Sequence, residues 1–175
     1  MFDNSYTVIF RKVYLFTELP EPLTPASEHV QLFDNYLPET GLRMRSLRIP
    51  ETKAWRYFFE QERAEYAAVR SIKRAAMELD EKEYAHLQMF EGNEIRKNRY
   101  FAELNGRPAT LDIHLGDLWG LNIATVEFAD ESEALAYPQP EIAVVDVSAD
   151  PFFSGPNLVQ LKFADIQSHL SGSSS

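Results

Sequence analysis

Residues 30–49, VQLFDNYLPETGLRMRSLRI, hold two runs rich in apolar and aromatic residues, Val30 to Leu37 and Leu42 to Ile49, parted only by Pro38-Glu39-Thr40-Gly41. A third run, Lys53 to Gln61, follows after Pro50-Glu51-Thr52. Proline and glycine at these breaks read as turns. Spacing this close leaves no room for crossover helices, so neighbouring strands are expected to be antiparallel. Upstream, Tyr6 to Phe16 (YTVIFRKVYLF) reads as a strand that ends in the Pro-punctuated loop Leu19 to Pro25.

Downstream the period changes. Ala68, Val69, Ile72, Ala75, Ala76 and Leu79 recur at helical spacing and predict a helix over 67–79 with Arg70, Lys73 and Arg74 on a solvated basic face. Asp80 with Glu83 forms a capping box for a second helix, whose apolar face holds Tyr84, Leu87 and Phe90 and which ends at Gly92-Asn93. Strands then resume. Glu94 to Leu104 and Pro108 to Leu115 flank Asn105-Gly106, a strong hairpin signal, and Asn122 to Phe128 is another strand. Asp130 with Glu133 opens a short helix closed by Pro138, Ile142 to Ser148 is a last strand, and Leu161 to Leu170 a C-terminal helix. The expected fold is α+β: an antiparallel barrel of about eight strands with a few helices packed outside, one domain over 1–170, and a flexible tail over 171–175.

Composition narrows the function. The 175 residues carry 17 Lys and Arg against 27 Asp and Glu, a net charge of −10. An acidic surface argues against nucleic acid and anionic membranes as partners, although a basic cleft can sit inside an acidic shell. No cysteine is present, which removes disulfides, thiolate metal sites and cysteine nucleophiles. No apolar run approaches the roughly 18 residues of a membrane span, and the N-terminus lacks a basic leader, so a cytoplasmic location is the expectation. The oligomeric state is not specified by any of these features.

Strand residues two apart share a face, and charges recur at that spacing in Arg43 and Arg45, in Lys97 and Arg99, and in Arg63 and Glu65. Taken in order with their surroundings, these segments resemble the CYTH family of triphosphate tunnel enzymes, which includes inorganic and thiamine triphosphatases and class IV adenylate cyclases. Leu42-Arg43-Met44-Arg45 resembles the family's Leu-Arg-Ile-Arg strand, Arg63-Ala64-Glu65 its Arg-x-Glu-x-Glu, and Lys97-Asn98-Arg99-Tyr100 its Lys-Thr-Arg-Tyr. Leu111 to Gly116 is similar to the Glu-x-Asp strand, Ala124 to Phe128 to Ala-Glu-Ile-Glu-Phe, and Asp146 to Asp150 to Glu-Val-Thr-x-Asp. The resemblance implies a tunnel whose inward cations grip a triphosphate and whose inward carboxylates hold Mg²⁺ or Mn²⁺. Several cationic donors suit phosphate oxygens, Arg especially, and a hard divalent ion needs several oxygen ligands.

The departures fall on carboxylates. Where the family has Glu-x-Glu-x-Lys, the matching stretch is Val8-Ile9-Phe10-Arg11-Lys12, which keeps only the lysine; Ala67, Thr110 and Thr125 replace further acids, and Gln61 replaces a lysine. The resemblance thus assigns anion binding to Lys12, Arg43, Arg45, Arg63, Lys97 and Arg99. It leaves Asp146, Glu127 and Asp112 for a weak, substrate-dependent Mg²⁺ or Mn²⁺ site, Glu65 persisting beside them, with no cofactor required. Val8 and Phe10 would narrow the tunnel, and a one-residue slip in the first strand would turn Arg11 inward in place of Lys12.

Three functions follow as expectations. The first is a degenerate tunnel protein that binds a phosphorylated or other anionic small molecule with weak or no catalysis. The second is a divergent metal-dependent triphosphate hydrolase. The third is a non-catalytic scaffold or protein-interaction domain in which the charges pair with each other, Arg43 or Arg45 with Glu127 and Lys97 or Arg99 with Asp112. His29, His86, His114 and His169 lack metal-ligand spacing, and His114, on the same strand face as Asp112, is expected to be packed or hydrogen-bonded. Trp55 and Trp119 are expected to pack in the core or under loops, and no Ser-His-Asp set is discernible.

Overall fold

The computed structural model describes residues 6–90 and 92–172. Among these residues nine strands form one antiparallel sheet: β1 (Thr7–Leu15), β2 (Val30–Tyr36), β3 (Leu42–Ile49), β4 (Ala54–Glu65), β5 (Arg70–Leu79), β6 (Glu94–Leu104), β7 (Arg107–His114), β8 (Asn122–Phe128) and the short β9 (Val145–Asp146). Their order is β5-β4-β3-β2-β6-β7-β8-β1-β9, and β1 also pairs with β5. That last pairing closes eight strands into a barrel, the architecture expected from the closely spaced runs. Closure removes the free edges that an open eight-stranded sheet would expose.

Among the described residues four α-helices lie outside the strands: α1 (Glu81–Leu87), α2 (Glu131–Ala136), α3 (Gly155–Leu158) and α4 (Phe163–Gly172). The capping box before α1 is present in both directions. The Asp80 carboxylate accepts from the Lys82 and Glu83 amides at 2.8 Å, and the Glu83 carboxylate accepts from the Asp80 amide at 2.8 Å. Tyr84 and Leu87 turn inward onto Met44 and Leu79, whereas Phe90 is half exposed. The β6–β7 turn has Asn105 at φ 47° and Gly106 at φ 76°, the left-handed pair that a two-residue hairpin requires.

Residues 70–79 correct the sequence reading, because they form a strand and not the second half of a helix. The helical spacing rests on alanines, which are indifferent to either period. Pairing decides the matter: Tyr57 to Glu65 meet Leu79 to Ser71 on one side, and Thr7 to Arg11 meet Arg74 to Arg70 on the other. Without this strand the barrel has no seam. The anticipated strand 142–148 shrinks to β9, though Val144 and Val147 still donate to the Leu15 and Val13 carbonyls at 2.8 Å. The C-terminal helix starts later and runs through Ser171 and Gly172, which corrects the tail expected from 171; positions 173–175 lie outside the described residues. The helix α3 was not anticipated.

Apolar packing sits largely on the outer faces of the sheet. Tyr14, Tyr100, Leu111, Val126 and Phe128 bury under α2 and the loop at Leu19 and Leu23. Met44, Leu79 and Tyr84 form a smaller cluster under α1. A third cluster, with Val13, Ile95, Ile123, Phe153, Leu158 and Ile166, plugs one end of the barrel with the C-terminal segment. A Cβ on Gly155 would overlap the Tyr36 hydroxyl, so only glycine lets the chain lie this close across that end. Trp119 and Trp55 depart from expectation: Trp119 is 72% exposed in the β7–β8 loop, and Trp55 is 45% exposed between Phe33 and Tyr57 on the outer wall. No described helix is long and apolar enough to cross a membrane.

Candidate functional site

The barrel encloses a cavity of about 600 Å³. It is covered at the end where Val13, Ile95 and Ile123 meet Phe153 and Leu158, and it opens toward Phe101, which is 60% exposed, and Glu127. Because alternate residues share a face, the inward set on each strand is fixed by register. The cavity takes Arg11 and Val13 from β1, Arg43 and Arg45 from β3, Glu62 and Ala64 from β4, Arg70, Ile72 and Arg74 from β5, Lys97 and Arg99 from β6, Thr110, Asp112 and His114 from β7, and Thr125 and Glu127 from β8.

Four of the six cations expected to meet in a tunnel do so: Arg43, Arg45, Lys97 and Arg99. Lys12 and Arg63 do not. Lys12 lies one residue out of phase with Arg11, faces away from the cavity, and pairs with Asp146 at 2.5 Å and the Ala68 carbonyl at 3.0 Å. Arg63 and Glu65 point to solvent, since Glu60, Glu62 and Ala64 take the inward face of β4; Arg63 instead lies over the Tyr6 ring. The slip also moves the greasy positions. Val8 is exposed and Phe10 packs against the outer cluster, so neither narrows the tunnel; Ile9 and Arg11 share the inward face of β1. Gln61 faces outward as well and accepts from the Tyr6 hydroxyl at 3.0 Å.

The inward charges form a continuous alternating chain around the wall. Arg74 lies 3.9 Å from Glu127, which takes Arg11 Nε at 2.8 Å. Arg11 forks onto Glu62 at 2.9 and 3.0 Å, and Glu62 reaches Arg43 at 3.4 Å. Arg43 Nε donates to Glu60, which lies 3.9 Å from Arg45. Arg45 forks onto Asp34 at 2.6 and 2.8 Å, Lys97 joins Asp34 at 3.6 Å to Asp112 at 2.8 Å, and Arg99 closes the series with a fork onto Asp112 at 2.6 and 2.7 Å. Six cations alternate here with five carboxylates, so the wall carries one positive charge before Arg70 is added.

Burial opposes the ionisation of Asp34, Glu62 and Asp112, and their guanidinium neighbours overcome it, holding all three well below the usual carboxylate range. Burial lowers the Lys97 ammonium against the pull of Asp112. His114 is fully buried, and burial, with Lys97 beside it, pushes it down to about 4, so the ring is neutral near pH 7. Its Nδ1 faces the Leu121 carbonyl at 3.0 Å, which assigns the proton to Nδ1. The histidine is therefore both hydrogen-bonded, as expected, and part of the cavity wall.

Arg70 stands apart. Its Nε and Nη2 donate to the Ser148, Val147 and Asp150 carbonyls at 3.3, 3.1 and 3.4 Å, and its guanidinium lies 4.9 Å from the Tyr66 ring centroid. No carboxylate among the described residues forms an ion pair with it. Sequence reasoning missed Arg70 and Arg74 because it placed them on a solvated helix face, named Arg11 only as the outcome of a one-residue slip in β1, and missed Asp34, Glu60 and Glu62 for want of strand phase. Apolar residues stand in both phases of β1, Ile9 and Val13 in one and Phe10 and Tyr14 in the other, so alternation alone does not set its phase.

The proposed metal ligands do not assemble. Asp146 lies outside the cavity on Lys12, Glu127 is held by Arg11 and Arg74, and Asp112 by Arg99 and Lys97. Among the described residues no group of three or more His, Asp or Glu side chains is placed to hold a metal ion. A hard divalent ion needs several free oxygens, and here each carboxylate is already engaged by a cation, so the residues do not fit one.

Two solved structures of NE1496, one described as a hypothetical protein and one as an inorganic triphosphatase, match this chain with TM-scores of 0.58 and 0.57 at 20% and 21% identity. The matches cover 87% and 85% of this chain and 97% and 92% of theirs. The chain shares the fold of these two structures. This agrees with the resemblance carried by the strand motifs. No protein-family model and no curated protein matches the chain.

Proposed function

We propose that the tunnel binds a phosphorylated small-molecule anion without metal-dependent turnover. The observation that carries this reading is the convergence of seven cationic side chains in one cavity of a chain whose net charge is −10. Guanidinium forks suit phosphate oxygens, and the enclosed wall lowers the dielectric in which they act. A ligand that binds only the folded state raises its melting temperature. Titration with inorganic phosphate, pyrophosphate and tripolyphosphate should therefore shift the melt upward by several degrees at ligand concentrations about a hundredfold above Kd. The absence of a shift with every phosphate favours a scaffold in which the ion pairs serve only each other.

The fold shared with NE1496 supports a second reading, triphosphate hydrolysis. Phosphate release from tripolyphosphate in the presence of Mg²⁺ or Mn²⁺ separates the two. Turnover that is lost with Glu127→Gln and Asp112→Asn in folded protein would establish the hydrolase.

A further inference from the structure

Resting on the anion-binding reading above, we propose that the ligand is a compact dianion of the phosphate monoester class, seated on Arg70 and Arg74 at the seam between β1 and β5. Three observations converge there. First, Arg11 and Arg70 are direct partners across the β1–β5 ladder, a like-charge juxtaposition, and the Glu62 and Glu127 carboxylates that pair with Arg11 form no ion pair with Arg70. Second, Arg70 is held only by backbone carbonyls and stacked on Tyr66, and its Nη1 makes no hydrogen bond to any described residue. It is oriented but not neutralised. Arg74, two positions beyond Ile72 on the same inward face, is tied only by a 3.9 Å approach to Glu127.

Third, the charge balance sets the size of the ligand's charge. The alternating chain leaves one positive charge and Arg70 adds another, for a wall of plus two. A phosphate monoester carries about −2 above its second pKa near 6. It therefore matches the wall, whereas each further phosphoryl group adds roughly one more negative charge that no metal-ligand cluster among the described residues is placed to offset. The far wall cannot take up this excess, because Asp34 and Asp112 already occupy Arg45, Lys97 and Arg99.

Calorimetric titration of the full chain at pH 8 tests the assignment, with phenyl phosphate, pyrophosphate and tripolyphosphate as probes, each with and without Mg²⁺. Phenyl phosphate is expected to bind, with Arg70→Gln and Arg74→Gln each weakening it about tenfold, Arg63→Gln leaving it unchanged, and Mg²⁺ adding nothing. Tripolyphosphate should bind within about tenfold of phenyl phosphate. If Arg70→Gln fails to fold, the more exposed Arg74→Gln carries the test. Tighter tripolyphosphate binding beyond that range, or unchanged affinity in folded Arg74→Gln, overturns the dianion seat while leaving anion binding intact. Failure of all three probes to bind overturns both readings.

Discussion

The two sides of the barrel wall use the same residue types differently. On the side built by β2, β3, β6 and β7, Asp34 and Asp112 each take a short arginine fork and share Lys97 between them, so every charge there is satisfied. On the seam of β1 and β5, Arg11 and Arg74 share Glu127, Arg11 also takes Glu62, and Arg70 leans on carbonyls alone. A buried pair of the first kind contributes chiefly by not being broken. Guanidiniums of the second kind are available to something else.

Breaking the saturated side should have the largest effect. Asp34→Asn strips Arg45 of its forked counter-charge and Lys97 of one of its two carboxylates, and is expected to cost about 3–5 kcal/mol in denaturant-induced unfolding. A loss under about 1 kcal/mol would mean that the wall relaxes and that the two sides do not differ.

Acid should expose the same side. His114 binds its proton less readily folded, at about 4, than unfolded, at about 6.5, so stability falls as pH drops between those values, by up to about 3 kcal/mol. His114→Gln should flatten that slope. Asp34, Glu62 and Asp112 are depressed in the folded state, so their stabilisation is present above the unfolded carboxylate range near pH 4 and is lost only below it. Equilibrium unfolding measured from pH 7 to pH 3 should therefore show two successive declines in the native protein and only the lower one in His114→Gln.

Gly155→Ala sharpens the geometry of the plugged end. The added methyl meets the Tyr36 hydroxyl, and a cost of about 1–3 kcal/mol is expected; Tyr36→Phe in the same chain should recover part of it. The seam gives the smallest effect. Arg74→Gln should change stability by no more than about 0.5 kcal/mol in the absence of ligand, because its single contact is long and partly solvated. A destabilisation as large as that of Asp34→Asn would erase the distinction between the two sides.

The hairpin at Asn105-Gly106 and the capping box at Asp80 were legible because each depends on a few adjacent residues with one physical solution. Arg43, Arg45, Lys97 and Arg99 were legible for a related reason: each pair stands two residues apart within one strand, so both members share a face. Phase failed on β1 and β4, where Arg11 stands beside Lys12 and Glu62 beside Arg63, so that alternation fits either register. It failed most on β5. There, alanines and arginines satisfy a helical period locally, and only two strands from elsewhere in the chain reveal the alternative.

The pairings of β1 also bear on how the molecule is made. This first strand lies between β5 and β8, so a chain leaving the ribosome must keep residues 7–15 half unpartnered until residues 122–128 have emerged. Such long-range pairing slows folding. Closure of the ring is thus a late event in biosynthesis, during which the apolar stretch from Val13 to Phe16 lacks its final cover and is open to aggregation or chaperone capture.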